Sequence, residues 1–409
     1  MNTAMMPRAW RDAAAALSLL WVATLAGAGA TFLAQTLLAR KLGPSEYGLF
    51  ASSLATVTMV APLAGFGLSQ FRLRAYGAEG WAADRWLRPS LRFSTATTLL
   101  AMGLVVAWAL AGAPVNAETR ATLLILAPLI LGLCALDLIG SKLRLEERYR
   151  GLAGWQLMTP AGRLLVALLV LVVPAATAPW VALGYCAVAL ATVLLAAPQL
   201  RAMLRGEMDL QGHGARALTV PASPRATELW SQAWAYGLAA VLYPVFFQIS
   251  TVLLKYLGSD AQAGRYGVAL AVMTAIYLLP ATIYQKFLLS KLHRWAVHDK
   301  PKFWRVHRLG NLAMLAAGIG VGALLAALAP WAVPLGFGKQ YSGVAALLMV
   351  LAICVPIRFL STAVGSALLT EGHMRYRVAA MALSAVAAVA MNALAIPRFG
   401  ELGAAWATV

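Results

Sequence analysis

Long runs of apolar residues alternate with short clusters of charge along the whole chain, and each run matches the thickness of a bilayer core. A helix needs about 20 such residues to cross. Runs of that length fall at 15–39, 48–69, 93–113, 121–140, 152–173 and 178–200, then at 230–254, 266–289, 309–335, 342–369 and 376–396. A twelfth begins at Leu402 and stops at Val409, too short to cross, which predicts a natural protein longer than 409 residues. The pattern predicts an all-α polytopic membrane protein. Six helices form an N-terminal lobe over 1–200, a polar cytoplasmic linker covers 201–227, and a C-terminal lobe covers 228–409. The basic, then apolar, start of the chain imitates a signal peptide, but its run continues to Ala39, so an uncleaved first span is expected.

Composition supports lipid as the solvent: 61% of residues are hydrophobic and only 12% charged. In a soluble protein the net charge of +18 would suggest nucleic acid. Here the basic residues lie between spans, so they read as topology determinants beside anionic lipid, and no nucleic-acid partner is expected. Twenty-four of the 33 Lys and Arg residues fall in alternate loops on one side, from Arg8 and Arg11 through Arg88 and Arg92 to Arg375 and Arg377, against seven on the other. Basic loops stay cytoplasmic, which places the N-terminus there. The remaining two, Arg163 and Arg358, lie inside spans.

The halves look related. Leu42-Gly43 matches Leu257-Gly258, Tyr47-Gly48 matches Tyr266-Gly267, and Pro62 falls near Pro280. An even number of spans in each half makes such repeats parallel, related by an axis along the membrane normal. Prolines at 62, 128, 160, 244, 280 and 356 lie within or near membrane depth. Each removes a helical N–H, giving kinks or bending bundles.

Charge inside a span costs about 2.5–3.5 kcal/mol even on insertion scales, so intramembrane ionisable residues are the candidate chemistry. Arg163 lies about 16 Å into the fifth span and Arg358 about 24 Å into the tenth, from opposite sides, at 1.5 Å per residue. Their depths are comparable, one in each half. Two guanidinium groups facing a central cavity would grip a phosphate or pyrophosphate bidentately. Alternatively, Arg163 pairs with Asp137 of the fourth span as a structural ion pair. Asp137, the acid well inside a span, is a candidate for coupling to protons or sodium, or an interfacial partner of Lys142 and Arg144. Polar Gln and Asn residues in the spans read as helix-to-helix glue.

No GxxxxGK[ST], HExxH or GxSxG motif occurs, so neither ATP-driven transport nor hydrolytic chemistry has support. Cys134, Cys186 and Cys354 sit in apolar runs without CxxC spacing, and the five histidines fall in loops without ligand spacing, so no metal, cofactor or disulfide framework is implied. The Lys-, His- and Trp-rich segment from Lys286 to Lys302 could lie on the membrane surface.

The segment ARKLGPSEYGLFA at 39–51 resembles the start of oligosaccharide flippases of the polysaccharide transport family, the group containing O-antigen flippases, within the multidrug/oligosaccharidyl-lipid/polysaccharide exporter superfamily. LGFGKQYSGVAALLMVLAI at 335–353 is similar to the start of that family's tenth span, and 368–409 to its eleventh span and the beginning of its twelfth. The resemblance implies two six-helix lobes around a central cavity, a MATE-like fold, with the twelfth helix truncated in this chain. It further implies a bacterial inner-membrane flippase, and not an enzyme. Its cargo would be undecaprenyl-pyrophosphate-linked oligosaccharide, moved to the periplasmic leaflet for surface polysaccharide assembly. Membrane lipids, a polysaccharide polymerase and a chain-length regulator are the other partners implied. Arg163 and Arg358 come from depth and charge, since no family motif marks them. The competing readings are a cation-coupled multidrug exporter, a membrane O-antigen polymerase or ligase, and a peptidoglycan-precursor flippase. The first should favour acidic cavity residues and the second a large outer loop, which this chain lacks.

Overall fold

The computed structural model describes residues 8–112, 116–210, 224–283, 300–368 and 374–409, and all regular structure among them is helical. Most of the predicted surface segment 286–302, namely 286–299, and much of the predicted linker, 211–223, fall outside the described residues. The protein is an all-α polytopic membrane protein. Among the described residues, seven helical stretches can cross a bilayer by length and composition, or eight if one bent pair is a single span.

The first three predicted spans, and the eleventh with the start of the twelfth, each fall in one stretch that is broken inside, and the predicted eighth span is not fully described. The stretch that holds the first three is Ser18–Ala111. Within it, α1 (Arg8–Val60) is interrupted at Gly43, whose φ of 78° and ψ of 171° no helix contains. Pro44 follows, lacking the N–H that a continuous helix would use. A 3₁₀ turn at Ala61–Leu63 leads to α2 (Leu68–Glu79), and a second at Gly80–Trp86 leads to α3 (Leu87–Ala111). The predicted fourth span is split at Pro128 into α4 (Ala117–Leu126) and α5 (Leu129–Leu145). The Asn116 side chain caps α4 by accepting from the Thr119 N–H at 2.8 Å.

Helices α6 (Tyr149–Val172), α7 (Ala178–Leu204) and α8 (Ala226–Leu257) each carry one predicted span. The eighth predicted span starts on α9 (Asp260–Ile283), and its end lies outside the described residues. After α10 (Lys300–Phe337), the tenth span is a pair, α11 (Val344–Leu351) and α12 (Cys354–Leu368), bent by 41°. The last helix, α13 (Met374–Thr408), breaks at Gly400, φ 57° and ψ −134°, just before the predicted start of the twelfth span.

The chain clusters into two compact units: residues 1–34 with 56–241, and residues 35–55 with 242–409. These boundaries differ from the polar linker expected at 201–227. Residues 35–55 go with the second unit, and α8 is shared between the two. In the first unit, α6 and α7 form a hairpin whose helices cross closely. A Cβ on Gly184 would stand 2.4 Å from Val166 Cγ1, so only glycine fits there. A second cluster gathers Phe71 and Tyr76 of α2, Trp86 of the turn after it, Ile139 of α5, Leu152 of α6 and Met203 of α7. Phe71 meets Trp86 edge-on at 5.3 Å, the geometry ring quadrupoles favour.

In the second unit, the segment after Gly43 packs backbone to backbone against α9. A Cβ on Gly48 would lie 1.7 Å from the Asp260 carbonyl oxygen, and one on Gly264 would lie 2.1 Å from that of Pro44. The matched sequence positions are thereby brought together. Tyr47 and Tyr266 are both buried, and Tyr47 Cε1 would lie 3.6 Å from a Cβ on Gly267. Glu401 of α13 pairs with Arg265 of α9 at 2.8 Å, and the Tyr341 hydroxyl donates to the Ala39 carbonyl at 3.1 Å.

Candidate functional site

Arg163 sits in the middle of α6, opposite the point where α7 approaches most closely. Gly162 and Gly184 let the two helices touch, which brings the Arg163 guanidinium over the ring of Tyr185, with Cζ 5.0 Å from the ring centroid. The ring face is electron-rich, so it stabilises the cation without neutralising it. Nε and Nη2 of Arg163 are buried and donate to nothing. No ion pair joins Arg163 to Asp137 among the described residues, and the pairing weighed from sequence is not seen.

Arg358 sits near the start of α12 and belongs to the second unit. Its guanidinium stands over Phe247 of α8 at 5.3 Å and over Tyr277 of α9 at 5.6 Å. Nη2 donates to the Tyr243 hydroxyl at 3.4 Å. Three aromatic side chains from two helices therefore hold this cation, and among the described residues no carboxylate does. The two arginines thus share a device, a guanidinium on aromatic faces. Spacing in the sequence hides it, because Tyr185 and Tyr277 are remote from the arginines along the chain.

Asp137 has a different environment. It accepts a hydrogen bond from the Ser69 hydroxyl of α2. The neighbouring Arg72, 1% exposed, donates from Nη2 to Ser141 Oγ at 3.0 Å. Asp137 supplies the largest favourable charge acting on Arg72. Ser69 and Arg72 are three apart on α2, and Asp137 and Ser141 are four apart on α5, so each pair shares a helix face and the two faces mate. Nε and Nη1 of Arg72 are left without partners. On its other side Asp137 borders a small cavity of about 220 Å³, shared with Arg144, Trp155 and Gln156.

Arg72 is one of the basic residues that the sequence leads one to expect in the loops between spans. It lies instead on a short helix folded back into the first unit, and the signal available was the i, i+3 polar face of Ser69 and Arg72. Lys142, also assigned to a loop, is 3% exposed. It pairs with Glu146 at 2.9 Å and donates to Gln199 Oε1 at 2.7 Å. Neither Lys142 nor Arg144 is the partner of Asp137 in an ion pair among the described residues.

No protein-family model and no curated protein matches the sequence. Solved structures do match its fold. A structure described as lipid II flippase MurJ in an inward closed conformation superposes with a TM-score of 0.69 at 14% identity, covering 95% of this chain and 84% of the other. An inward-facing multidrug resistance MATE family transporter of the MOP superfamily gives 0.65 at 14% identity, over 96% and 93%. A MOP superfamily transporter from Pyrococcus furiosus, described as having a binding pocket of reversed polarity, gives 0.53 at 14%, over 96% and 90%. At such identities the likeness shows the fold, and the fold is the one these membrane transporters share.

Proposed function

We propose that this chain is a flippase that moves an undecaprenyl-pyrophosphate-linked oligosaccharide from the cytoplasmic to the periplasmic leaflet of a bacterial inner membrane by alternating access. One observation carries the reading. In each unit an arginine within an apolar stretch lies against one or two aromatic rings with no carboxylate paired to it among the described residues, so the protein leaves its positive charge unneutralised. A guanidinium in that state suits a phosphate or pyrophosphate, whose oxygens accept its N–H donors in pairs. The reading is binding and transport only, with no catalytic residue. Arg163 in the first unit and Arg358 in the second are each a candidate contact for the head group, the prenyl tail stays in lipid, and the N-terminus faces the cytoplasm as the basic loops imply. Asp137 serves Arg72 and the Ser69 contact, which favours a structural part for it over ion coupling. A polysaccharide polymerase and a chain-length regulator would act on the delivered glycan.

A cation-coupled drug exporter shares the fold but requires carboxylates for cationic cargo, and the two ring-held charges here have the opposite sign. The likeness to a lipid II flippase supports a second cargo of the same chemical class, lipid II itself. The deciding experiment measures the sidedness of lipid-linked oligosaccharide in a deletion strain complemented with the wild-type gene or with Arg358→Ala. The proposal expects the intermediate to accumulate facing the cytoplasm, relieved by wild type and unrelieved by Arg358→Ala at equal membrane levels. An intermediate already periplasmic, or raised drug sensitivity with unchanged surface glycan, would overturn it. Cytoplasmic accumulation of lipid II in place of the oligosaccharide would assign the second cargo.

A further inference from the structure

A groove of about 660 Å³ runs along the first unit between α3, α5 and α7, apart from both ring-held arginines. Its walls are apolar: Leu91 and Leu99 from α3, Leu131 and Leu138 from α5, Val193 and Leu200 from α7. Of the three hydroxyls that line it, Ser94 Oγ is buried without a partner among the described residues and the two threonines bond to their own helix. Thr95 donates to the Leu91 carbonyl at 3.0 Å and Thr98 to that of Ser94 at 2.6 Å, so they present little polarity to an occupant.

The mouth is different. Arg88 and Arg92 line it, four residues apart and therefore on one face of α3, and both are exposed. Nearby acids are already engaged. Glu79 accepts from Arg85 at 2.9 Å and from the Trp86 indole at 3.3 Å, and Asp84 accepts from Tyr76 at 2.7 Å. Among the described residues neither Arg88 nor Arg92 forms an ion pair. From Arg88 to Leu99 the helix rises about 16 Å, roughly half of a 30 Å hydrocarbon core. The groove therefore has one leaflet's depth, with two unpaired cations at its interfacial end. An amphiphile with an anionic head and a chain of one leaflet's length fits both features.

We propose that the groove binds one anionic phospholipid from the leaflet on the arginine-rich side, with its phosphate between Arg88 and Arg92 and an acyl chain along α3, α5 and α7. The single-leaflet depth selects a phospholipid over a much longer prenyl carrier. The site is independent of the flippase reading and stands or falls without it. A lipid held there ties three helices of one unit together, and so makes the stability of that unit depend on membrane composition.

The test is native mass spectrometry of the purified protein in mild detergent, titrated separately with phosphatidylglycerol, phosphatidylcholine, undecaprenyl phosphate and inorganic phosphate. Wild type is expected to retain one phosphatidylglycerol and to discriminate against phosphatidylcholine. The double variant Arg88→Gln/Arg92→Gln should bind it about 30-fold more weakly, from two lost contacts with an anionic head group. Leu99→Trp keeps both arginines and fills the chain channel, and should also lose the lipid while eluting as a monodisperse species. Unchanged retention in either variant, or equal retention of phosphatidylcholine, overturns the proposal. So does displacement by inorganic phosphate alone, which would make this an anion site, or preference for undecaprenyl phosphate, which would make it a carrier site.

Discussion

Replacing Gly48 by alanine isolates the closest helix crossing in the second unit. The added methyl would stand 1.7 Å from the Asp260 carbonyl oxygen and 2.7 Å from the Gly264 nitrogen. Both obstacles are backbone, so no rotamer change relieves them and the helices must separate. Overpacking typically costs about 1–3 kcal/mol, and a backbone collision belongs at the upper end. At about 2–4 °C per kcal/mol for a unit of this size, Gly48→Ala should melt about 4–12 °C below wild type. Intrinsic tryptophan fluorescence during heating in detergent reads this directly.

Two controls carry the opposite sign. A methyl on Gly267 meets only the Ala51 Cβ at 3.4 Å and the Tyr47 ring at 3.6 Å, and one on Gly103 meets nothing within 4 Å. Each should be neutral or should raise stability by up to about 1 kcal/mol, because alanine restricts the unfolded chain and favours helix. Gly264→Ala should destabilise as Gly48→Ala does. The double variant should cost less than the sum, since the first methyl already forces the crossing open. If Gly48→Ala melts within about 1 °C of Gly267→Ala, the backbone contact between the Gly43–Val60 segment and α9 is not where the structure puts it.

Three further outcomes follow from the charged clusters. Lys142→Met leaves the buried Glu146 carboxylate only the exposed Arg148, 3.7 Å away, and should cost about 3–5 kcal/mol, while Lys142→Met/Glu146→Leu should recover most of that in the same melting assay. Arg72→Leu should destabilise strongly, with partial rescue by Asp137→Asn, because the neutral amide no longer needs a nearby cation; equal melting of the single and double variants would break the link between the two residues. Tyr277→Leu together with Phe247→Leu should weaken the hold on Arg358 by about 1–2 kcal/mol and lower the proposed flipping at unchanged membrane levels, whereas Tyr277→Phe, which keeps the ring, should leave that proposed activity unchanged.

The sequence by itself determined that the chain is helical and crosses a membrane, because both follow from run length and transfer free energy, which are additive along a chain. It also singled out Arg163 and Arg358, since a charge within an apolar run is visible without coordinates. The short match between the two halves was legible too, through Leu-Gly and Tyr-Gly pairs that end one helix and pack the next. What surrounds each charge was decided only by tertiary structure. Tyr185, Phe247 and Tyr277 look like ordinary apolar residues until helix crossings carry them under a guanidinium. Arg72 and Lys142 looked solvated because they fall in polar stretches, yet the fold withdraws them onto Asp137, Ser141, Glu146 and Gln199. The places where the spans break were hidden for a similar reason. Hydropathy records how apolar a segment is, whereas Gly43 and Gly400 turn the backbone through non-helical dihedral angles and Pro128 interrupts its span by lacking an N–H. The partnership of residues 35–55 with the second unit likewise rests on a crossing in which Gly48 and Gly264 leave room for two backbones, a condition on pairs of positions that only folding brings together.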